Sequence, residues 1–322
     1  MRAIRFERTG GPEVLQLVDV ETPTPRPGQI LVRHQAVGVN FIDTYQRSGL
    51  YPMKLPSGLG SEAAGVVEAV GDGVTRFKAG DLAAYAGAPG AYADANVVVA
   101  DRAVKVPAGV DARTAAAALL KGMTVEFLIH RLHEVKAGEA ILVHAAAGGV
   151  GQILVQWAKA LGAVVIATVG SEEKAARVRE LGGDHVILYR HADVAAEVRR
   201  ITDGKGVPVA YDSVGKDTFE GTLKSLARRG LFVSFGNASG SPPPIEARQL
   251  MLNGSLFFTR PTMGDYQQTT AELDASAAAL FEMIGSGKVK IEIGQTFPLA
   301  EARRAHEALE SRSTIGASLL IP

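Results

Sequence analysis

Gly138–Lys159 reads GEAILVHAAAGGVGQILVQWAK. An apolar run, Ala140–Val143, leads into a turn of small residues, Ala145-Ala146-Ala147-Gly148-Gly149-Val150-Gly151. From Gln152 to Leu161, Ile153, Leu154, Trp157 and Leu161 then recur at spacings that share one helical face. Strand, glycine turn and helix in that order form the phosphate-cradling element of a dinucleotide-binding fold. Backbone N–H groups at the helix start, with the positive end of its dipole, meet a pyrophosphate that only glycines let come close. The G-x-G-x-x-G pattern is incomplete here, because Ala146 stands where its first glycine is expected. An Ala/Gly-rich turn also occurs in other α/β domains, so the weight of the motif comes from its place between a buried strand and a helix.

The flanking sequence continues the pattern. Short runs at Val164–Val169, His185–Leu188, Val207–Asp212, Leu231–Phe235 and Leu256–Thr259 alternate with helix-like stretches at Ser171–Leu181, Ala192–Ile201 and Asp217–Arg228. With Ala140–Val143 these make six runs, and their intervening helices predict a doubly wound parallel sheet covered on both faces. Pro208 fits only at the start of its strand, since it lacks a ladder N–H.

Residues Met1–Asp111 differ in character. Runs at Ala3–Phe6, Leu15–Val20, Gln29–Val39, Ala64–Val70, Leu82–Tyr85, Ala95–Val99 and Ala103–Val106 are separated by Gly/Pro turns, which predicts a β-rich domain. The tail carries helical patterns at Gln267–Ile284 and Ala300–Glu310, an apolar run at Val289–Ile293 and a last strand at Ser318–Ile321. The expected organisation is a β-rich domain over residues 1–121, a dinucleotide domain over 122–262, and a return to the first domain over 263–322. Ligand is expected in the cleft between the domains.

Composition excludes several classes. Lysine plus arginine and aspartate plus glutamate both number 34, so no global field draws nucleic acid or acidic membranes to the chain. No apolar run reaches membrane-spanning length and MRAIRFERTG lacks a signal-peptide core, so a soluble cytoplasmic protein is expected. The absence of cysteine removes disulfides, thiolate nucleophiles and every Cys-ligated zinc site.

These residues resemble the zeta-crystallin-like quinone oxidoreductase branch of the zinc-independent medium-chain dehydrogenase/reductase superfamily. The branch fingerprint is matched by Gly138-Glu139, Leu142, Ala146-Ala147, Gly148-Gly149-Val150-Gly151, Gln156 and Lys159. Val39–Pro52, Gly60–Gly71, Leu119–Val125, Tyr211–Gly215 and Ser234–Gly240 match as well, so the resemblance spans essentially the whole chain. It implies a GroES-like catalytic domain, a Rossmann domain, a homodimer, and NADPH-dependent reduction of a small-molecule quinone. Zinc alcohol dehydrogenases of the same superfamily carry a Cys in the segment matching Gly38–Asp43 and Gly-His-Glu where this chain has Gly60-Ser61-Glu62. With Asn40 and Ser61 in those segments, Glu62 alone does not hold a catalytic zinc. His130/His133 and His185/His191 are better read as helix-face or strand–loop residues than as ligands, so no metal is expected.

NAD sites of this fold place Asp or Glu at the end of the second strand, to accept from the ribose 2′-hydroxyl. Here that position is Gly170, followed by Ser171. Lys174, one turn further, and Tyr189, ending the third strand, can supply a charge and a hydroxyl to a 2′-phosphate, and the resemblance implies that they do. The alternative is that Lys174 pairs with Glu172 or Glu173 on a solvated helix.

With no metal or thiol expected, the chemistry falls mostly to the cofactor, and the protein supplies proximity, orientation and donors. The family counterpart of the Asn40–Tyr45 segment, which includes Ile42, lines the nicotinamide site. Asn40 and Tyr45 are expected to position the nicotinamide or donate to a quinone oxygen, and Asp43 to order the segment. Asn40 as a helix cap and Tyr45 as packing is the competing reading. Thr124, after a break predicted at Lys121-Gly122, either meets the nicotinamide or caps a helix. Gly148, Gly149 and Val150 in the glycine turn, and Ser213, Phe235, Gly236 and Asn237 at C-terminal strand ends, are expected to contact the cofactor. Arg260 faces either cofactor and substrate or solvent. Two further functions remain open: reduction of an activated C=C bond in an enal or enone, and a cofactor-binding structural or RNA-binding protein.

Overall fold

The computed structural model describes the whole chain, Met1–Pro322. The chain divides into two units: Met1–Met123 with Gln267–Ser286 and Ile291–Pro322, and Thr124–Tyr266 with Gly287–Lys290.

The first unit opens with β1 (Arg2–Phe6), β2 (Gln16–Asp19), β3 (Gln29–Val39), α1 (Phe41–Ser48), β4 (Ser57–Gly58), β5 (Glu62–Val70), β6 (Leu82–Ala86), β7 (Ala95–Val99) and β8 (Ala103–Lys105). α2 (Ala112–Glu126) follows. Strand β3 is the spine. It pairs antiparallel with β5 and β7, and its Ile30, Val32, Val37 and Val39 enter a core shared with Ile4, Phe6, Leu59, Val67, Tyr85 and Tyr92. Each such aliphatic or aromatic side chain taken out of water contributes roughly 1.5–3 kcal/mol.

The second unit is built from β9 (Ala140–Val143), α3 (Gly149–Ala160), β10 (Val164–Val169), α4 (Glu172–Glu180), β11 (His185–Leu188), α5 (Val194–Ile201), β12 (Val207–Asp212), α6 (Phe219–Ser225), β13 (Leu226–Ser234), α7 (Ala247–Leu252) and β14 (Phe257–Thr259). All pairs are parallel and the strand order is β11-β10-β9-β12-β13-β14. Ile141, Leu142, Val165 and Ile166 are fully buried, as central strands covered on both faces require. The chain leaves β9 towards β10 on one side and returns to β12 on the other. That reversal puts the topological switch point at the C-terminal ends of β9 and β12.

The chain then adds α8 (Thr270–Gly285), β15 (Ile293–Pro298), α9 (Ala302–Glu310) and β16 (Ala317–Ile321) to the first unit. β16 pairs antiparallel with the end of β3, Ser318 opposite Val39.

Two local differences from the sequence expectation have physical causes. No break occurs at Lys121-Gly122, because α2 runs through both residues. Gly122 is a packing glycine: a β-carbon there would fall 2.2 Å from Cδ1 of Leu280 on α8. The helix expected over Asp217–Arg228 ends at Ser225, because Leu226 already pairs with Val207. Pro208 does sit at the start of its strand, at a register shift between Val207 and Val209, where a missing N–H breaks no ladder bond.

Candidate active site

The phosphate turn follows β9 directly. Ala145 takes the left-handed conformation (φ 50°), at a cost of about 1–2 kcal/mol for a residue with a β-carbon. Ala146 does not, and its N–H donates to the Thr168 carbonyl at 3.2 Å, so an alanine is tolerated where the motif has its first glycine. Gly148 caps α3. Gly151 is required by contact, since a β-carbon there would lie 2.4 Å from the Ala145 carbonyl oxygen and 2.6 Å from Ala146 Cα. Gln152 Nε2 braces the turn from below by donating to the Ala147 carbonyl at 3.1 Å. Gly148, Gly149 and Val150 stay partly exposed at the first turn of α3, where helix N–H groups lack intrahelical acceptors.

At the end of β10 stands Gly170, with Ser171 capping α4 through its hydroxyl, which accepts from Lys174 N–H at 3.4 Å. A β-carbon at Gly170 would meet the Tyr189 hydroxyl at 2.7 Å and Arg190 Nε at 3.5 Å. Burial, and after it the charge of Arg190, pulls the Lys174 ammonium below the usual lysine range, while Glu173 acts the other way. A phenol and a guanidinium therefore crowd a glycine where a carboxylate would otherwise sit, and the guanidinium's charge reaches Lys174. Arg190 escaped the sequence reading. Its only signal was its place directly after Tyr189, at the C-terminal end of β11.

The loops after β12 and β13 are packed backbone to backbone. Phe235 N–H donates to the Asp212 carbonyl at 2.8 Å and Ala238 N–H to the Ser213 carbonyl at 3.2 Å. A β-carbon at Gly236 would fall 2.3 Å from the Ser213 carbonyl oxygen. Asp212, fully buried, accepts from Val214 N–H at 2.8 Å, Gly215 N–H at 3.0 Å and Thr218 Oγ1 at 2.6 Å, which fixes the turn bearing Ser213. Arg260 reaches back from the end of β14, donating to the Gly236 carbonyl at 3.0 Å and Ser234 Oγ at 3.3 Å. Asn237, with its amide turned so that nitrogen donates to the Gly236 carbonyl, accepts from Arg260 Nη2 at 3.1 Å. Ser213, Phe235, Gly236, Asn237 and Arg260 thus form one assembly. Thr124 lies inside α2, partly exposed, and caps no helix. His133 pairs with Glu139 at 2.9 Å and His130 lies edge-on to Trp157.

In the first unit, α1 carries Asn40 at its N-cap and Ile42, Asp43 and Tyr45 within it. Asp43 is fully buried and accepts from Asn40 N–H at 2.8 Å, Ser61 Oγ at 2.9 Å and Tyr92 OH at 3.0 Å. Burial pushes its carboxyl up to about 6 against those three hydrogen bonds and Lys121. His306 Nε2 lies 3.0 Å from the Tyr92 hydroxyl and its Nδ1 3.1 Å from Arg47 Nη1, and Arg47 in turn pairs with Glu310. This chain of contacts pins α1 to α9. Tyr45 is nearly buried, edge-on to Tyr51 with ring centroids 5.3 Å apart. Ile42 is partly exposed.

The residues do not fit a metal. The chain has no cysteine, no three His, Asp or Glu side chains converge, and Glu62 Oε2 is held by Lys121 Nζ at 2.8 Å. They do fit an adenine dinucleotide with a 2′-phosphate, which the Gly148–Val150 turn and the Gly170–Ser171–Lys174–Tyr189–Arg190 corner could hold.

Residues 26–108 match the alcohol dehydrogenase GroES-like domain family and residues 149–279 the zinc-binding dehydrogenase family. The chain is 52% identical to a quinone oxidoreductase of Pseudomonas aeruginosa, covering 100% of this chain and 99% of the relative. A 2-haloacrylate reductase of a Burkholderia species is 44% identical over 98% of both chains. The crystal structure of Escherichia coli quinone oxidoreductase complexed with NADPH superposes with a TM-score of 0.98 at 50% identity, covering 100% of each chain.

Proposed function

The chain belongs to the quinone oxidoreductase family of the medium-chain dehydrogenase/reductases, and we propose that it reduces quinones with NADPH without a metal. The observation that carries the cofactor assignment is a glycine crowded by Tyr189 and Arg190, with Lys174 in the field of Arg190, where an NAD site would carry a carboxylate.

When bound, NADPH supplies the hydride. The chain's own residues do the rest. The N–H groups of the Gly148–Val150 turn hold the pyrophosphate, and Gly151 lets the helix come close enough to present them. Lys174, Arg190, the Tyr189 hydroxyl and the capped Ser171 turn take the 2′-phosphate. Ser213 and Phe235–Asn237, fixed by Asp212 and Arg260, line the strand ends. Asn40 and Tyr45, with Ile42 beside them, hold the nicotinamide or donate to the quinone oxygen on which negative charge develops. Asp43, wholly enclosed, orders that segment. A quinone becomes an aromatic, readily protonated product, so donors of this kind suffice without a Lewis acid.

The relative named 2-haloacrylate reductase keeps reduction of an activated C=C bond as the second reading. Following NADPH oxidation with a benzoquinone, a naphthoquinone, an enone and an aldehyde separates the two. Turnover with both quinones and neither other acceptor supports quinone reduction; turnover with the enone alone moves the chain to the alkene reductases.

The same reading includes a homodimer. β14 is an edge strand with Phe257 61% exposed, and α7 before it leaves Met251 and Leu252 60% and 65% exposed; the edge is suited to pairing with the same strand of a second copy. Light scattering of the parent and of Phe257→Lys tests it: a dimer that dissociates in the variant supports the pairing, and a monomeric parent refutes it. No helix is long and apolar enough to cross a membrane.

A further inference from the structure

Glu62, the first residue of β5, has no access to solvent, and Lys121 on α2 is only 5% exposed. Space for the carboxylate is made by Gly38 near the end of β3, where a β-carbon would fall 2.2 Å from Glu62 Oε2 and 2.5 Å from the Ala116 carbonyl oxygen. Three donors meet the carboxylate. Leu120 N–H reaches Oε1 at 2.7 Å, Lys121 Nζ reaches Oε2 at 2.8 Å, and Asn40 Nδ2 reaches that same Oε2 at 2.9 Å.

An ion pair buried at both ends is weak evidence for stability, because desolvation offsets much of the attraction and a well-packed apolar pair does as well. What it supplies here is direction. An ionised carboxylate is an acceptor only. It admits the amino end of the Asn40 carboxamide and rejects the carbonyl end, which would set two acceptors together. The Lys121 ammonium, 2.8 Å from Oε2, is the counter-charge to that buried carboxylate. Asn40 also closes the capping box of α1, its N–H donating to Asp43 Oδ2 at 2.8 Å and its side chain facing the Asp43 N–H.

We propose that Lys121 and Glu62 are positioning residues that set which end of the Asn40 carboxamide faces the ligand. The proposal rests on the reading of Asn40 as a contact to nicotinamide or quinone.

The test is a double-mutant cycle on the full-length chain, with kcat and KM for a naphthoquinone under saturating NADPH and a thermal melt for each variant. The variants are Asn40→Ala, Lys121→Met, Asn40→Ala/Lys121→Met and Glu62→Gln/Lys121→Met. Asn40→Ala and Lys121→Met are each expected to lower kcat about tenfold with KM little changed, while the pair together falls no more than about twofold below the weaker single. Glu62→Gln/Lys121→Met removes both charges and melts near the parent. It keeps the low kcat, since a neutral amide at position 62 accepts Asn40 in either orientation. Additive losses in the cycle, or full kcat in the neutral double variant, overturn the proposal while leaving the reading of Asn40 intact. Parent kinetics in Asn40→Ala overturn that reading and the proposal with it.

Discussion

The Tyr189 hydroxyl stands over Gly170 so closely that a β-carbon on residue 170 would lie 2.7 Å from it. The end of the second sheet strand is where this fold chooses between a ribose hydroxyl and a ribose phosphate. On the proposed reading, Lys174, Tyr189 and Arg190 make that choice here, beside a residue with no side chain. Gly170→Asp inserts a β-carbon under the phenol and a negative charge beside Lys174 and Arg190. NADPH affinity is expected to fall at least about tenfold, and NADH affinity by clearly less. Calorimetric titration with both cofactors checks this, and equal losses would show only local damage.

Removing the cations singly is the gentler experiment. Lys174→Ala and Arg190→Ala are each expected to cost roughly 1.5–3 kcal/mol of NADPH binding, about tenfold or more, and to leave NADH nearly unchanged. Losses that are the same for NADPH and NADH in either variant would remove that residue from the phosphate corner.

Tyr45→Phe tests the first unit's share. The Tyr45 ring packs on Tyr51 and the variant keeps that contact, so the fold is expected to hold. If the hydroxyl positions nicotinamide or quinone, kcat/KM falls about three- to tenfold across several quinones, the worth of one hydrogen bond. Unchanged turnover would leave Tyr45 a packing residue.

Acid should unfold the protein through its buried histidines. Burial holds His34 down at about 4, and burial with the Arg47 charge holds His306 down at about 3, against an ordinary 6.5. Below about 6.5 the unfolded chain binds protons that the folded chain refuses. The stability these residues contribute is therefore whole above that pH and is lost on acidification, at up to about 1.4 kcal/mol per pH unit for each histidine. Asp43 opposes one of them. Its carboxyl is raised to about 6, so protonation between 6 and its ordinary 3.8 favours the fold. The net expectation is a melting temperature that drops from pH 6.5 to 4.5, with a shallower slope in His34→Gln and in His306→Gln. Curves parallel to the parent's would contradict this.

Much of this was legible in the sequence where a single strand carries its own signal. β9, β10, β11 and β12 were each read at their observed bounds, because strands buried on both faces are short apolar runs closed by turn residues. β13 was read late, since its start runs through the polar Arg228-Arg229 and is fixed only by Leu226 meeting Val207. Gly122 looked like a break because the side chain that needs the space, Leu280, is far away in sequence. Arg190 carries no motif of its own; its meaning lies in its approach to Gly170 and in the charge it brings to Lys174. The family fingerprint itself mixes fold with chemistry. Gln156 clamps the backbone of Lys290 at 2.9 and 3.0 Å, and Lys159 binds Asp184 at 2.8 and 2.9 Å, so both hold the second unit together.

The most direct measurement is the initial rate of cofactor oxidation with one naphthoquinone, taken with NADPH and with NADH at equal concentration. A quinone reductase with this phosphate corner turns over with NADPH at least about tenfold faster in kcat/KM than with NADH. Equal rates with the two cofactors, or no quinone turnover with either, would contradict the account.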